Sequence, residues 1–302
     1  MRILVTIPHY ANTSGAPGED GRSHGSLNRD SAPRLAALTA CLSALHQSFG
    51  NPQCVIDHAR KMALPIEPTT RSTLDVVICT THGQHLLAEL SAPGYSYQHH
   101  ASGAEPMLLG FECQCVLGNM LGQYDFYCYL EDDLVVEDPW LFAKLTWFCG
   151  HVGNDRLLQP NRFESGPHAH IRKAYLDGDI SERATADYQN IAQEPTLRSE
   201  VLGRHIVFRR PLNPHSGCYF LNAEQMSCWV RQPHFLQRDC SFMGPLESAA
   251  TLGIMRTFKV YKPAPENADF LEVRHFGSEY LKMIRLPEVT ASARSPADQE
   301  GW

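Results

Sequence analysis

Three adjacent acidic residues, Glu131, Asp132 and Asp133, lie between two apolar runs of the sequence. Like charges at this spacing repel one another, and burying them beside apolar residues is costly. A hard divalent cation such as Mg²⁺ or Mn²⁺ relieves both costs, because it takes oxygen ligands from carboxylates and completes its shell with substrate phosphates. A solvated acidic loop is the alternative. We favour the cation site, because the cluster directly follows a predicted buried strand, DFYCYL (125–130).

Buried strands alternate with helices along the first half of the chain. The runs ILVTI (3–7) and LDVVICT (74–80) are typical of buried strands, and leucines at helical spacing predict a helix over 33–50 between them. A second helix over 105–123 precedes the strand at 125–130. This alternation predicts parallel β-α-β units of an α/β fold, in which ligands bind beyond the carboxyl ends of the strands.

The second half is predicted to be less regular. A long polar excursion over 164–204, with one short helix at most, interrupts the core, and a long Gly/Ser/Asn-rich loop over 11–31 interrupts the first half. The remaining predicted elements are helices at 139–150, 223–231 and 246–253 and strands at 156–163, 205–209, 217–222 and 256–262.

Composition narrows the functional classes. The 302 residues are 43% hydrophobic and 20% charged, which is typical of a globular protein. The 26 Lys and Arg against 33 Asp and Glu give a net charge of −7, without a basic run that could follow a phosphate backbone, so nucleic acid is excluded as an expected partner. An acidic protein with an anionic substrate needs a local remedy, such as a bound cation.

The cysteines and the apolar runs predict a cytoplasmic protein. Ten cysteines are scattered without a CxxC pair, which favours reduced thiols over a disulfide framework or structural zinc. No apolar run reaches the length of a membrane span, and the apolar run at 3–8 is too short for a signal peptide. We therefore expect no transmembrane segment.

Four segments together carry a family resemblance. LEDDLVVEDPWLF (130–142) resembles the DxD segment of GT-A glycosyltransferases, and its Glu-Asp-Asp form is most similar to that of the N-acetylglucosaminyltransferase I family. TIPHYAN (6–12), TACLSALHQSFG (39–50) and LLGFECQCVLGNMLGQYDFYCYL (108–130) resemble, in the right order, segments of family 2 enzymes. The resemblance implies a single GT-A domain over 1–302, with a mixed, mainly parallel sheet flanked by helices. Residues 1–145 would bind the nucleotide sugar and residues 146–302 the acceptor.

The resemblance also implies roles for the acidic cluster. Asp133 would bind a Mn²⁺ or Mg²⁺ ion that bridges the two phosphates of a nucleotide sugar, while Glu131 and Asp132 would contact the ribose and the donor sugar. Such a cation stabilises the negative charge that builds on the leaving nucleoside diphosphate. The residues Pro8, His9 and Tyr10 correspond to the nucleotide loop after the first strand.

The second strand departs from the family pattern. Family 2 enzymes usually have an acidic residue there, and this chain has Thr80, Thr81 and His82 instead. The hydroxyl of Thr80 is our predicted contact to a uracil or guanine edge, and the family's habit favours UDP as the donor nucleotide. The sugar, the base and the acceptor stay open.

An inverting transferase needs a carboxylate that accepts the proton of the attacking hydroxyl. In FMGPLESAATLG (242–253), Glu247 occupies the first turn of a predicted helix and resembles the family's catalytic xED position. The alternative is that Glu247 only complements the helix dipole. Asp239 is the second candidate for the base.

Two further segments supply candidate ligands. His275 follows the last predicted strand, where many GT-A enzymes carry a metal-binding histidine, and imidazole is a suitable Mn²⁺ ligand. The HSGC segment precedes a predicted strand as the acceptor-side loop does in the family, which makes Ser216 and Gly217 candidate substrate contacts.

The residues and the resemblance together predict a metal-dependent glycosyltransferase. It would move a hexosyl or N-acetylhexosaminyl group from a nucleotide diphosphate sugar to the hydroxyl of a carbohydrate or another acceptor, with inversion. One alternative is a Mg²⁺-dependent nucleotidyltransferase or phosphohydrolase, although the first loop lacks the Gly-rich, Lys-containing phosphate grip of such nucleotidyltransferases. A second is a non-catalytic protein of this fold that binds sugar or metal.

Overall fold

The computed structural model describes residues 1–13, 26–27, 29–50, 52–66, 72–90, 95–166 and 171–283. Its strands are β1 (Arg2–Pro8), β2 (Cys54–Asp57), β3 (Met62–Pro65), β4 (Thr73–Thr81), β5 (Gln98–Ser102), β6 (Phe126–Leu130), β7 (Leu134–Val135), β8 (Arg156–Leu158), β9 (Asn161–Ser165), β10 (Lys173–Tyr175), β11 (Thr196–Val201), β12 (Arg204–Arg209), β13 (Cys218–Asn222), β14 (Lys259–Pro263) and β15 (Glu272–His275). Its α-helices are α1 (Ala32–Leu45), α2 (Leu109–Asn119), α3 (Leu141–Val152), α4 (Ala223–Val230), α5 (Pro245–Glu247), α6 (Gly253–Thr257) and α7 (Glu279–Met283).

The central sheet has five strands in the order β13-β6-β1-β4-β5. The strands β6, β1, β4 and β5 are parallel, and β13 is antiparallel to β6. The predicted α/β class, with a mixed, mainly parallel sheet flanked by helices, is therefore confirmed. Because parallel strands end at the same edge, the carboxyl ends of β1, β4 and β6 lie side by side.

Both faces of this sheet are buried, which explains the unbroken apolar runs of its strands. Ile3, Val5 and Ile7 of β1 belong to one hydrophobic cluster with residues of α1 and α3. Leu4, on the opposite face of the same strand, belongs to a second cluster with residues of α2 and α4. Side chains alternate between the faces of a strand, so β1 joins the two halves of the core.

Two smaller four-stranded sheets complete the second half, in the orders β10-β9-β15-β7 and β11-β12-β14-β8. The predicted single strand at 156–163 is wrong: β8 and β9 belong to different sheets, and Pro160, which has no N–H to donate, separates them. The predicted strand at 256–262 begins only at Lys259, because α6 continues to Thr257.

The excursion over 164–204 is more ordered than predicted. It contains β10, a 3₁₀ turn at Glu182–Ala184, and β11, which pairs antiparallel with β12. The turn between β11 and β12 has positive φ at both Leu202 (51°) and Gly203 (74°), the geometry that two-residue hairpins prefer. The polar sequence TLRSEV alternates in exposure along β11, and its low apolar content is the reason that it does not read as a strand.

Other strands are too short or too exposed to be recognised in the sequence. The hairpin of β2 and β3 is one of them: its neighbours Val55 and Ile56, which point to opposite faces, are both more than half exposed. The predicted loop at 11–31 lies largely outside the described residues. None of the described helices is both long and apolar enough to cross a membrane.

Candidate active site

Strand pairing brings the two predicted metal ligands together. The short strand β7 follows Asp133 directly, and it pairs antiparallel with β15 so that Leu134 lies opposite His275. The backbone N–H of Phe276 donates to the carbonyl oxygen of Asp133 (2.8 Å). As a result, Nε2 of His275 lies 3.6 Å from Oδ2 of Asp133.

A buried carboxylate, Glu164 on β9, orients this histidine. Nδ1 of His275 donates to Oε1 of Glu164 (2.9 Å), which also accepts from the backbone N–H of Tyr280 (3.2 Å). Oε2 of Glu164 accepts from the N–H of Leu281 (2.8 Å). In the neutral imidazole, a carboxylate on Nδ1 keeps the proton there and leaves the lone pair on Nε2, which is the usual arrangement behind a metal-binding imidazole. This role of Glu164 was not predicted, because β9 and β15 become neighbours only through long-range pairing.

The charges at this position suit a cation. Burial alone would raise the pKa of Asp133, but the close approach of the protonated form of His275 and the positive charges of Arg34 and Arg162 hold that pKa below its usual range. Burial would lower the pKa of His275, and Asp133 raises it above its usual value. Oδ1 of Asp133 is buried without a hydrogen bond partner among the described residues, so it is available as a ligand.

The residues at this position fit a cation that takes some of its ligands from a bound substrate. Among the described residues, no group of three or more His, Cys, Asp or Glu side chains is placed to hold a metal ion. Asp133 and His275 would therefore supply two ligands, and phosphate oxygens would have to supply others. Mg²⁺ is commonly bound in this way, through one or two carboxylates and the phosphates of its substrate.

We expect Glu164→Gln to weaken binding of Mn²⁺ by about 10- to 100-fold, the usual cost of losing a partner that orients a metal ligand. Glutamine has nearly the same size, but it lacks the charge and can present an N–H to Nδ1, which would reverse the orientation of the imidazole. Mn²⁺ affinity would be measured by electron paramagnetic resonance. Glu272→Gln, on the neighbouring strand β15 and bound to Lys173 and Tyr175, is the control. Equal Mn²⁺ affinity in the two variants would contradict the orienting role.

Glu131 lies against Gly217, so two further predicted residues meet. The N–H of Glu131 donates to the carbonyl oxygen of Gly217 (3.0 Å), and Gly217 has a left-handed φ of 60°. A Cβ atom on Gly217 would lie only 2.5 Å from Oε2 of Glu131. Burial and the charge of Asp133 raise the pKa of Glu131 to about 8, although Arg162, with Nη1 3.9 Å from Oε2, lowers it in part.

Gly217→Ala is expected to destabilise the protein by about 3 kcal/mol. The left-handed backbone costs about 1 kcal/mol for a residue with a Cβ, and overpacking against Glu131 and Leu134 adds about 1–3 kcal/mol. Urea unfolding would measure the loss. Gly203→Ala separates the two effects, because Gly203 also has a positive φ but has nothing within 4 Å of the added Cβ. Equal losses in both variants would show that the contact with Glu131 costs nothing.

Asp132 and His9, both predicted substrate contacts, bind each other in the interior. Oδ2 of Asp132 accepts from Nδ1 of His9 (2.6 Å) and lies 2.8 Å from Nη2 of Arg34. Nε2 of His9 accepts from the backbone N–H of Leu86 (3.2 Å). These bonds fix the end of β1 to the acidic turn. They leave the substrate-contact role of Asp132 and His9 a prediction.

The other predicted substrate residues line the same strand ends. Pro8 is the last residue of β1, and Tyr10 beyond it is half-buried against the second hydrophobic cluster. Thr80 is buried near the end of β4, with Oγ1 2.7 Å from Nε2 of His99. Ser216 is buried too, and its hydroxyl donates to the carbonyl oxygen of Pro160 (2.8 Å). Both hydroxyls are thus engaged inside the protein.

A buried network of charged side chains lies next to Glu131 and contacts it through Arg162. Oδ1 of Asp177 accepts from Nε (3.0 Å) and Nη2 (2.8 Å) of Arg162, and Oδ2 accepts from Nζ of Lys262 (2.9 Å). Lys262 also donates to the carbonyl oxygen of His215, two residues before Gly217. Burial would raise the pKa of Asp177, but Lys262 and Arg162 hold it well below its usual range. The network was not predicted, because its members are distant in sequence.

Asp177→Asn is expected to cost about 3 kcal/mol at pH 7, because it leaves two buried cations short of a counter-charge. The pKa of Asp177 is depressed in the folded state, so its contribution is complete above the unfolded pKa of about 3.9 and is lost as the pH falls below it. Urea unfolding from pH 7 to pH 3 would show the difference between the two proteins constant down to about pH 4 and smaller below it, without vanishing at pH 3. Asp179→Asn, at an exposed pair with Arg209, is the control. A constant difference across this pH range would contradict the electrostatic account.

The two candidate bases occupy different surroundings. Glu247 lies in the first turn of α5, and its charge makes a minor contribution to the raised pKa of Glu131, so the two carboxylates are near enough to interact. Asp239 accepts from the backbone N–H of Ser241 (2.9 Å) and lies 3.8 Å from Nη1 of Arg256. The hydrogen bonds from Ser241 lower the pKa of Asp239.

Comparisons with known proteins give only distant likenesses. No protein-family model and no curated protein sequence matches the chain. Among solved structures, it is similar to HddC from Yersinia pseudotuberculosis (10% identity, 86% of this chain and 90% of that chain, TM-score 0.34). It is also similar to mouse xyloside xylosyltransferase 1 in the apo form (12% identity, 86% of this chain and 85% of that chain, TM-score 0.39). A third similar structure is S. aureus TarS 1–349 (9% identity, 93% of this chain and 62% of that chain, TM-score 0.41).

Proposed function

We propose that this chain is a metal-dependent GT-A glycosyltransferase that transfers a sugar from a nucleotide diphosphate sugar to an acceptor hydroxyl. The observation that carries the proposal is the position of Asp133: its buried Oδ1 has no partner among the described residues, and its Oδ2 faces a histidine held by Glu164. An oxygen and a nitrogen ligand at the carboxyl edge of a mainly parallel sheet suit a cation that binds a diphosphate.

Asp133 and His275 would hold the Mn²⁺ or Mg²⁺ ion in this proposal. Once bound, the cation would neutralise the charge that develops on the leaving nucleoside diphosphate. Glu131 is partly buried at the same turn, and its raised pKa reflects first its burial and then the nearby negative charge of Asp133, which a cation would offset. We assign Glu131 to the ribose or donor sugar, and Pro8, His9, Tyr10, Thr80, Asp132, Ser216 and Gly217 to the surrounding substrate site.

Glu247 is our candidate for the general base of an inverting transfer. It would accept the proton of the acceptor hydroxyl as that oxygen attacks the anomeric carbon. Support comes from its place in the first turn of α5 and from its electrostatic effect on Glu131. UDP is favoured over GDP only through the family resemblance, and we propose that residues 1–302 act as one such domain.

Isothermal titration with UDP and with GDP, each with and without Mn²⁺, tests the donor site directly. We expect one nucleotide to bind tightly only when Mn²⁺ is present, because Asp133 and His275 alone add little attraction for a diphosphate. If neither nucleotide binds under any metal condition, the proposal is wrong.

Product analysis separates this proposal from the second candidate, a nucleotidyltransferase or phosphohydrolase. The same ligand pair, Asp133 and His275, would suit such an enzyme, since it also uses cations bound to phosphates. Incubation with UDP-sugars and Mn²⁺ should release UDP if the chain is a glycosyltransferase. Release of pyrophosphate or inorganic phosphate would favour the second candidate, and metal and nucleotide binding without turnover would indicate a non-catalytic protein.

A further inference from the structure

A cleft lined by described residues lies away from the acidic turn. It has a volume of about 470 Å³, which is within the range of ligand pockets. Its lining residues are Asp187, Tyr188, Gln232, Pro233, His234, Asp239 and Arg256. The excursion therefore contributes one wall and the segment after α4 another. None of the residues assigned to the donor or the metal lines this cleft.

The charges of the cleft largely cancel. Arg256 is already engaged, since Nη1 lies 3.5 Å from Oε1 of Gln237 and 3.8 Å from Oδ2 of Asp239. Burial and the charge of Arg256 lower the pKa of His234, which favours the neutral imidazole. With Asp187 the cleft holds one more carboxylate than guanidinium, and an anionic ligand would meet net repulsion.

The lining suits a neutral polyhydroxylated ligand. Carboxylate and imidazole groups can accept hydrogen bonds from hydroxyls, and the guanidinium can donate to them. Tyr188 adds an aromatic ring, fixed by a hydrogen bond between its Oη and Oγ of Ser241 (3.0 Å). Pockets with a few convergent polar groups beside an aromatic surface are typical of small-molecule sites.

A second, smaller cavity of about 20 Å³ shares His234, Asp239 and Arg256 with the cleft. It has room for about one water molecule. Trp229 lines this cavity, and its buried Nε1–H has no hydrogen bond partner among the described residues. A buried donor without a partner is costly, so the cavity is suited to a water molecule or a ligand hydroxyl.

One short segment of the chain connects the cleft with the candidate base. Asp239 lines the cleft, and Glu247 lies eight positions further along the chain. The hydroxyl of Ser248 donates to the carbonyl oxygen of Phe242 (2.9 Å) and accepts from its N–H (3.1 Å), which closes the segment between them. A ligand in the cleft would thus contact the segment 239–247, which ends at Glu247.

We propose that this cleft binds a neutral saccharide unit of the acceptor, while a hydroxyl of a neighbouring unit is presented to Glu247. The inference rests on the proposed glycosyltransferase function and names its acceptor class. Binding energy gained on a remote unit is one way in which an enzyme positions the reacting hydroxyl. Acceptors of two or more sugar units without acidic groups would therefore be preferred.

Saturation-transfer NMR with the methyl β-glycosides of lactose, cellobiose and chitobiose tests the cleft. We expect at least one of them to bind the full chain, and Arg256→Gln to weaken that binding by about tenfold, the cost of one charged hydrogen bond. Tyr188→Phe, which keeps the ring and loses only the bond to Ser241, should weaken it less. Arg204→Gln, at an exposed pair with Asp269, is the matched control and should bind as the wild type does.

The outcomes separate this inference from the proposed function. UDP and GDP titrations with Mn²⁺ should be the same for the wild type, Arg256→Gln and Arg204→Gln. If a nucleotide binds but no glycoside does, or if Arg256→Gln binds glycosides as the wild type does, the cleft is not a saccharide site. Stronger binding of glucuronic acid than of the neutral glycosides would also overturn it. Failure of the wild type to bind either nucleotide rejects the proposed function instead.

Discussion

Replacing Asp133 with asparagine should abolish Mn²⁺-dependent binding of the nucleotide. The substitution keeps the size of the side chain and removes its negative charge, which is the main attraction for the cation at this turn. Losing a partner that only orients a ligand costs 10- to 100-fold in metal affinity, so losing the ligand itself should cost about 100-fold or more. Titration of UDP or GDP with saturating Mn²⁺ for the wild type would measure the effect.

The control for this prediction is Glu137→Gln, four residues further along the chain. Glu137 is an exposed carboxylate that binds Arg274 (2.8 Å) and lies outside the proposed ligand set. Nucleotide binding should be unchanged in that variant. If Asp133→Asn binds the nucleotide as tightly as Glu137→Gln does, the cation is held elsewhere or is not needed for binding.

Replacing Glu247 with glutamine should lower the rate of sugar transfer by about 10²- to 10⁴-fold, the usual contribution of a general base. Nucleotide binding in the presence of Mn²⁺ should stay the same, because Glu247 is assigned to the acceptor side and not to the donor. Transfer to an acceptor would be followed by release of the nucleoside diphosphate. The combination of intact binding and lost turnover is the expected signature of a missing base.

Glu279→Gln is a matched control, because Glu279 also lies in the first turn of a helix, α7, and is bound to Lys282. Both variants should lose the same few tenths of a kcal/mol from the helix dipole, so a common loss of stability would not explain a difference in transfer. An active Glu247→Gln enzyme would move the base to Asp239 or indicate that the anomeric configuration is retained.

The sequence predicted the strands that are buried on both faces and left out those that are very short or largely polar. The runs at 3–7 and 74–80 became β1 and β4 because apolar residues on both faces mark a strand between two helical layers. By contrast, β7 has only two residues and β11 is mostly polar, and neither leaves a pattern in the sequence. The position of β7 depends on β15, which is far away in the chain, whereas β11 pairs with its neighbour β12.

The residues of the candidate site also fall into a predicted and an unpredicted group. Asp133 and His275 were both predicted, and the structure brings them to 3.6 Å through the pairing of β7 with β15. Glu164 and the Arg162–Asp177 pair were not predicted, because an isolated charged residue on a strand gives no information about its partner. The assigned roles of all these residues stay predictions that the substitutions above would test.

The close contact between Gly217 and Glu131 restricts the order in which this site can change during evolution. With Glu131 in place, any side chain at position 217 collides with its carboxylate. Shortening position 131 to aspartate first would remove that collision and leave the cost of the left-handed backbone, about 1 kcal/mol, and the tight contact with Leu134 (3.0 Å). Related chains that carry a side chain at position 217 should therefore have a shorter residue at position 131, and lineages that keep the glutamate should keep the glycine.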